Sequence, residues 1–338
     1  MNPLLFLGIL VSLIATALVL PYWIKKCKQT GLLWEDMNKY KFPLKVGASG
    51  GLVVIFSFIL GLLTYVAIRT FLFKELGDVS LQIFSLISVI LILALVGLTD
   101  DLLGWKHGGL SARFRVFLAL VASIPLIVIN VGGHIIGLPL IGQVNLGWIY
   151  PLILIPIAIA GTTTTYNFLA GFNGLEAGQG IIILSFLSFI AYVTGSSWLS
   201  IVGLTMVASL LVFYVYNRYP AKVFPGDILT YAIGALIGIM AILGNFEKIA
   251  IFIFIPYIIE TALKAGRGKL KKRSFGIPNK DGSLKMPYEK VYGITHFAIL
   301  ILSKFKKKVY EKEVVYFIFA FQIIICLISL IVFKSYLF

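Results

Sequence analysis

Ten apolar stretches, at approximately 2–24, 48–72, 80–99, 114–134, 148–170, 177–195, 198–216, 226–244, 248–264 and 314–334, dominate this 338-residue chain. Each is long enough, or nearly so, to cross the hydrocarbon of a bilayer as a helix, which takes about 20 residues. Lipid offers no hydrogen bonds, so such runs fold as helices that satisfy their own backbone. The pattern predicts an all-α integral membrane protein of about ten transmembrane helices, forming one domain over 1–338. Only Gly195-Ser196-Ser197 separates the sixth and seventh stretches, so their merger is the alternative reading. The first stretch has no basic residue ahead of it and Lys25-Lys26-Cys27-Lys28 behind it, and reads as a span, not a leader.

Composition agrees. Hydrophobic residues make up 59% of the chain and charged residues 13%, about half the charged share of a soluble domain. A water-soluble enzyme, a disordered chain and a disulfide scaffold are excluded. Cys27 and Cys326 read as free thiols.

The net charge of +15 would suggest nucleic acid in a soluble protein. Its distribution points elsewhere. Of the 29 Lys and Arg residues, all but Arg69, Lys74, Lys248 and Lys334 fall in one alternate set of loops, at 25–47, 100–116, 217–227 and 264–313. The positive-inside rule places that set in the cytoplasm and both termini outside. The partners expected are anionic membrane lipid and an anionic substrate, and no nucleic acid. Within the last loop, Val291 to Lys308 carries an apolar face leading into Lys304, Lys306, Lys307 and Lys308. It is predicted to be an amphipathic helix on the cytoplasmic leaflet, with a short re-entrant segment as the alternative.

The few polar residues near the span ends are more informative. Asp100 and Asp101 adjoin at the expected C-terminal end of the third span, where the helix dipole disfavours anions. Such a pair is either solvated or met by a cation: a metal, Lys106, Arg113 or Arg115. Asp227, in Phe224-Pro225-Gly226-Asp227, opens the eighth span, as a helix cap or as part of a site. Between them runs Asn167-Phe-Leu-Ala-Gly-Phe-Asn173-Gly-Leu-Glu176-Ala-Gly-Gln179, denser in amide and acid groups than a turn requires. Hard oxygen donors beside many cations suit Mg²⁺ on a diphosphate. His107, His134 and His296 show no ligand spacing, so no zinc site is expected.

These blocks, Gly97-Leu-Thr-Asp100-Asp101, the Asn167–Gln179 stretch and Tyr216-Asn-Arg-Tyr-Pro-Ala-Lys-Val-Phe224-Pro-Gly-Asp227, resemble the polyprenyl-phosphate N-acetylhexosamine-1-phosphate transferases, in particular the eukaryotic and archaeal branch acting on dolichyl phosphate. The resemblance covers about Asp36 to Tyr288. It implies a ten-helix fold with a cytoplasmic active site. The implied reaction moves GlcNAc-1-phosphate from UDP-GlcNAc to a dolichyl or polyprenyl phosphate and releases UMP, as the first lipid-linked step of glycan assembly. It further implies Mg²⁺, with Mn²⁺ as a substitute, on Asn167 and Asp227. Asn173, Glu176 and Phe224 would bind the nucleotide sugar, Phe224 by stacking. Asp100 and Asp101 would sit by the acceptor phosphate, with Arg115 as its cation. A homodimer is compatible with the resemblance, as is residence in an archaeal cell membrane or, for a eukaryote, the ER membrane.

Two features depart from the family pattern. The stretch Asp101-Leu102-Leu103-Gly104 lacks a third Asp, as the eukaryotic branch does. The last loop lacks the usual histidine, and Arg267, Lys272 and Arg273 are the candidates to replace it on the sugar diphosphate. Rival readings are a different UDP-HexNAc, a non-catalytic binder of lipid phosphate, and a transporter of anionic substrates. The last would place its polar groups near the bilayer midplane instead of at helix ends.

Overall fold

A computed structural model describes residues 3–41, 45–75, 77–133, 135–138, 142–266 and 274–337. The chain is mostly helical. In order, the helices are α1 (Leu7–Thr30), α2 (Gly51–Phe71), α3 (Asp78–His107), α4 (Ala112–Ala122), α5 (Ile124–Val128), α6 (Ile155–Phe168), α7 (Leu175–Val193), α8 (Ser197–Asn217), α9 (Asp227–Leu243), α10 (Glu247–Ile253), α11 (Ile255–Gly266), α12 (Ile294–Phe305), α13 (Glu311–Val332) and α14 (Lys334–Leu337). Six helical stretches are long and apolar enough to cross a membrane unbroken: Pro3–Thr30, Gly51–Phe71, Asp78–Gly104, Leu175–Val193, Ser197–Asn217 and Glu311–Val332.

The other four stretches expected to span are shorter or interrupted. Three breaks have a common cause: Pro125, Pro156 and Pro256 each sit at the second residue of the helix that resumes, at α5, α6 and α11. Proline lacks an N–H and clashes with the preceding turn, so a helix ends there and restarts. A π-helical turn, Tyr150–Leu154, leads into α6. The fourth, α9, is a single helix of 17 residues. The sixth and seventh stretches stay separate, because Gly195 turns the chain at φ 88° between α7 and α8.

Helix α9 is the axis of the bundle. Every residue from Ile228 to Ile242 is buried, as expected for a helix apolar all round. It packs on α3 and α6 most extensively, with α2, α7 and α10 alongside. A side chain at Gly234 would meet the Thr162 carbonyl, and one at Gly238 the Thr162 hydroxyl. The small-xxx-small pair lets α6 and α9 approach closely, a packing common in membranes. Outside the core, α1 packs on α2 and α8, and α7 on α8. Leu18, Phe71, Val128 and Ile331 are among the large apolar side chains left exposed, as a lipid-facing surface requires.

The expected all-α bundle is present, and short strands occur in the connections between helices. Three short antiparallel hairpins join the helices: β1 (Leu33–Glu35) with β2 (Lys45–Gly47), β3 (Ile135–Leu138) with β4 (Gly142–Asn145), and β5 (Ile277–Pro278) with β6 (Leu284–Lys285). The first matters for the site. Gly47 accepts from the Phe224 N–H at 2.7 Å, and Gly50 and Gly51 donate to the Phe224 and Pro225 carbonyls at 2.9 and 3.0 Å. The loop before α9 is thereby pinned to the start of α2. The amphipathic helix expected near Val291–Lys308 is α12, with Ile294, Ala298 and Ile299 buried against the bundle and Lys304 exposed. Both cysteines are free and buried.

Candidate active site

The described ends of α3, α6, α7 and α9 surround a cavity of about 480 Å³, lined by Asp100, Asp101, Asn167, Glu176, Phe224 and Asp227 among others. Six of the residues singled out from the sequence thus face one space, although the chain separates them by up to 127 positions. Arg115, at the first turn of α4, reaches its rim.

Helix α3 does not end at the aspartate pair. It continues to His107, so the expected C-terminal placement is corrected: Asp100 and Asp101 lie inside the helix. Gly108 and Gly109 then reverse the chain, and the Leu110 N–H donates to Asp100 Oδ1 at 2.5 Å. The other Asp100 oxygen accepts from Arg115 Nη1 at 2.7 Å. The same nitrogen lies 3.3 Å from Asp227 Oδ2. One guanidinium therefore holds two carboxylates from two helices, and of the candidate cations it is Arg115 that meets Asp100. Arg113 is exposed.

Asp101 has a different task. Its Oδ1 accepts from the Asp227 N–H at 2.8 Å, and its Oδ2 from Ser49 Oγ at 3.0 Å. The residue before α9, Gly226, makes no side-chain cap. The orphan N–H groups of a helix start need an acceptor, and here a neighbouring helix supplies it. Gly226 adopts φ 73°, and a side chain there would strike the Asp101 carboxylate. Of the two readings of Asp227, the helix cap is not realised: Asp227 is the first helical residue, and its carboxylate lines the cavity and meets Arg115.

On the same first turn of α9, the Thr230 hydroxyl donates to Asn167 Oδ1 at 3.1 Å, tying the end of α6 to the start of α9. Glu176 is buried, and its Oε1 accepts from the Gly171 N–H at 2.7 Å, closing the loop between α6 and α7. Phe224 is half-buried on the pinned loop.

Asn173 is placed differently from the expectation. It does not line this cavity. Its Oδ1 accepts from the Ala221 N–H at 2.6 Å, and its Nδ2 donates to Asp36 at 3.1 Å and Glu311 at 2.7 Å. Lys39 completes the cluster, 3.0 Å from Asp36 and 2.5 Å from Glu311. Burial alone would depress the Lys39 ammonium, but Glu311 and Asp36 outweigh it and hold its pKa above the ordinary lysine value. This cluster joins the α1–α2 loop, the α6–α7 loop and the start of α13 behind the cavity wall.

A second buried pair supports the other side. Lys264 lies 2.9 Å from Glu260 and donates to the Phe168 carbonyl at 2.5 Å and to Ser274 Oγ at 2.9 Å. The residue next to Asn167 is thus anchored to α11 and to the end of the basic loop. Phe275 follows and lines the cavity. Arg267, Lys272 and Arg273 lie outside the described residues.

Sequence reasoning missed Ser49, Thr230, Lys39, Lys264 and Glu311. Lys39 and Lys264 were counted only as topology-setting charge. Ser49, Thr230 and Glu311 are single polar residues near the starts of apolar stretches, with no spacing to mark them.

The donor set fits a Mg²⁺ ion of a particular kind. Among the described residues, no three His, Cys, Asp or Glu side chains converge to hold a metal. Asp227 offers one carboxylate and Asn167 one neutral amide oxygen, and the Thr230 hydroxyl lies within hydrogen-bond reach of both Asn167 Oδ1 and the Asp227 main-chain carbonyl. Mg²⁺ commonly takes one or two carboxylates and fills its shell with water and substrate phosphate, so the residues suit a metal shared with a ligand.

A bundle of apolar helices, six of them long enough to cross a bilayer, with acid and amide donors gathered around one cavity, defines a multi-pass membrane protein. The sequence profile of glycosyl transferase family 4 matches residues 83–245. The chain is 34% identical to a protein of Saccharolobus solfataricus, provisionally named UDP-N-acetylglucosamine–dolichyl-phosphate N-acetylglucosaminephosphotransferase, over 97% of this chain and 96% of that one. It is 30% identical to the enzyme of that name from Dictyostelium discoideum, over 68% of this chain and 64% of that one. It is 29% identical to a phospho-N-acetylmuramoyl-pentapeptide-transferase of Streptococcus pyogenes, over 79% and 82%. The chain belongs to glycosyl transferase family 4 and is a transferase.

Proposed function

We propose that the chain transfers GlcNAc-1-phosphate from UDP-GlcNAc to a dolichyl or polyprenyl phosphate, giving a GlcNAc-diphospho-lipid and UMP, the first lipid-linked step of N-glycan assembly. The near full-length similarity to the Saccharolobus protein supports this choice of substrates. The observation that carries the chemistry is Arg115, which bridges Asp100 and Asp227 at the mouth of the cavity.

An oxygen of the lipid phosphate attacks the phosphorus that bears the sugar. The new P–O bond forms as the bond to the UMP oxygen breaks, and UMP leaves with that electron pair. A lipid phosphate is largely ionised at neutral pH, so it needs little help from a base. Asp100 and Asp101 are accordingly assigned to positioning: Asp100 orients Arg115, and Asp101 fixes the start of α9. Arg115, released in part from its carboxylates, stabilises the transferring phosphoryl group, whose charge is what catalysis of this kind must meet. Asn167 and Asp227 would hold Mg²⁺, which supplies charge neutralisation on the diphosphate. Phe224 offers a ring face to the uracil, Glu176 shapes the same wall, and Arg267 and Arg273 serve the sugar diphosphate from the basic loop. The clustering of Lys and Arg in one set of loops supports a cytoplasmic site, ten spans and both termini outside.

The test incubates purified protein with Mg²⁺, dolichyl phosphate and UDP-GlcNAc and measures UMP release. UDP-GalNAc and UDP-MurNAc-pentapeptide are run alongside, the second because of the Streptococcus relative. Release with UDP-GlcNAc that EDTA abolishes is expected. No release with any of the three, with or without EDTA, would overturn the reading.

A further inference from the structure

Behind the Asn173 cluster lies a second hollow, of about 370 Å³, between the end of α8 and the start of α13. Arg218 and Lys222 line it from the loop after α8, and Lys312 from the first turn of α13. Tyr214, Tyr219 and Tyr316 contribute its aromatic walls. No carboxylate is among its lining residues. Arg218, Lys222 and Lys312 are exposed, and among the described residues none of them forms an ion pair. The acids around it are engaged by other cations: Asp36 and Glu311 by Lys39, with Asn173 donating to both, and Glu313, beside Lys312 in the chain, by Lys306. The dipole at the end of α8 accounts for one cation there. It does not account for three, drawn from two distant chain segments, around one concave space.

The surroundings identify the occupant. The α8 and α13 shafts next to the hollow expose Leu211, Val215, Ile323 and Ile324, all apolar. Tyrosines collect where hydrocarbon meets water. Basic pockets between transmembrane helices at that level take anionic lipid headgroups. A free phosphate would use the cations and leave the flanking apolar surface without a role, whereas a lipid uses both. We propose that this hollow binds the phosphate headgroup of an anionic membrane phospholipid, with its acyl chains lying against α8 and α13. The site is separate from the reaction cavity, and the proposal does not depend on the substrates assigned above. Because Asn173 lines the hollow and Glu311 precedes Lys312, a bound headgroup also braces the cluster behind the reaction cavity.

The probe is phosphatidylglycerol, with phosphatidylcholine as the neutral lipid. Full-length protein in detergent is titrated with each, and bound lipid is counted by native mass spectrometry beside the thermal midpoint. The wild type is expected to retain phosphatidylglycerol over phosphatidylcholine and to melt higher with it. Each basic residue near an anionic lipid is worth about a fivefold change in affinity, so Lys312→Gln should weaken binding by about that factor and Arg218→Gln/Lys222→Gln/Lys312→Gln by about a hundredfold. Lys312 is exposed on a helix surface, so its single variant stays interpretable if the triple variant does not fold. Unchanged phosphatidylglycerol binding in Lys312→Gln overturns the proposal. Inorganic phosphate protecting the wild type as well as the lipid does, and displacing it, assigns the hollow to free phosphate and overturns the lipid.

Discussion

The Asp101 carboxylate on α3 accepts the Asp227 N–H at 2.8 Å, so one helix of the bundle caps the start of another. Helix caps are usually local, made by the residue just before the first turn. Here Gly226 occupies that position, and its φ of 73° delivers the chain onto Asp101. The consequence is that Asp101 is required for the shape of the site, whatever it does for the chemistry.

Asp101→Asn keeps an acceptor for the Asp227 N–H, whereas Asp101→Ala removes it. The Ala variant is expected to lose about 1–2 kcal/mol of stability, the range for a lost cap, and the Asn variant less. Thermal unfolding in detergent separates the two, and activity of the Asn variant across pH tests the positioning role. Equal loss of stability in both would exclude capping; an Asn variant that is fully folded yet inactive at every pH would point to Asp101 as a base.

Arg115→Ala leaves Asp100 and Asp227 facing one space without their shared cation. A fall in kcat of about 100-fold or more is expected, as for other groups that stabilise developing charge. Arg115→Lys should fall between, since an ammonium is a point charge and cannot present the guanidinium's fixed array of donors. Steady-state rates on the three proteins decide it. A change confined to KM would move Arg115 from the transferring phosphoryl group to ground-state binding.

Metal dependence should respond to Asn167 and Asp227 and not to Glu176. Asp227→Ala and Asn167→Ala are expected to abolish UMP release in folded protein, and the milder Asp227→Asn to shift half-saturating Mg²⁺ upward. Second-sphere and ligand changes at metal sites commonly cost about 10- to 100-fold. A Mg²⁺ titration of each variant reads this directly, and an unchanged midpoint in Asp227→Asn would free that carboxylate from the metal.

Lys264→Met is expected to be among the most destabilising single changes. Glu260 is wholly buried 2.9 Å away, and stripping the partner from a buried charge costs about 3–5 kcal/mol. The double variant Glu260→Gln/Lys264→Met removes both charges while leaving an acceptor for the Ile294 N–H that Glu260 now accepts. It should recover much of the thermal midpoint. No recovery would mean that the bonds from Lys264 to Phe168 and Ser274 carry the stability.

The sequence made the broad architecture legible because apolar length is a direct signal in a membrane protein. It also located Asp100, Asp101, Asn167, Glu176 and Asp227, since acids and amides at span ends are rare enough to be noticed; Phe224 was marked only by the resemblance to the family. What it concealed were the pairings. Nothing local says that Asp101 serves the helix opened by Asp227, or that Asn173 turns away from the cavity toward Glu311. The breaks at Pro125, Pro156 and Pro256 were visible as residues, but long apolar runs hid their effect. Lys39 and Lys264 were invisible for the opposite reason: among 29 basic residues, two that are buried look like the rest.

The cluster of Lys39, Asn173 and Glu311 has a consequence for biogenesis. Its members come from the first, middle and last parts of the chain, and Glu311 opens the last long helix. During synthesis, Asp36, Lys39 and Asn173 emerge long before Glu311, the second acid that Lys39 and Asn173 share. The wall behind the reaction cavity therefore closes only when α13 has left the ribosome and entered the membrane. A chain interrupted before residue 311 carries every residue that lines the cavity and still lacks the second acid of the cluster that backs its wall, so competence arrives with the final insertion step.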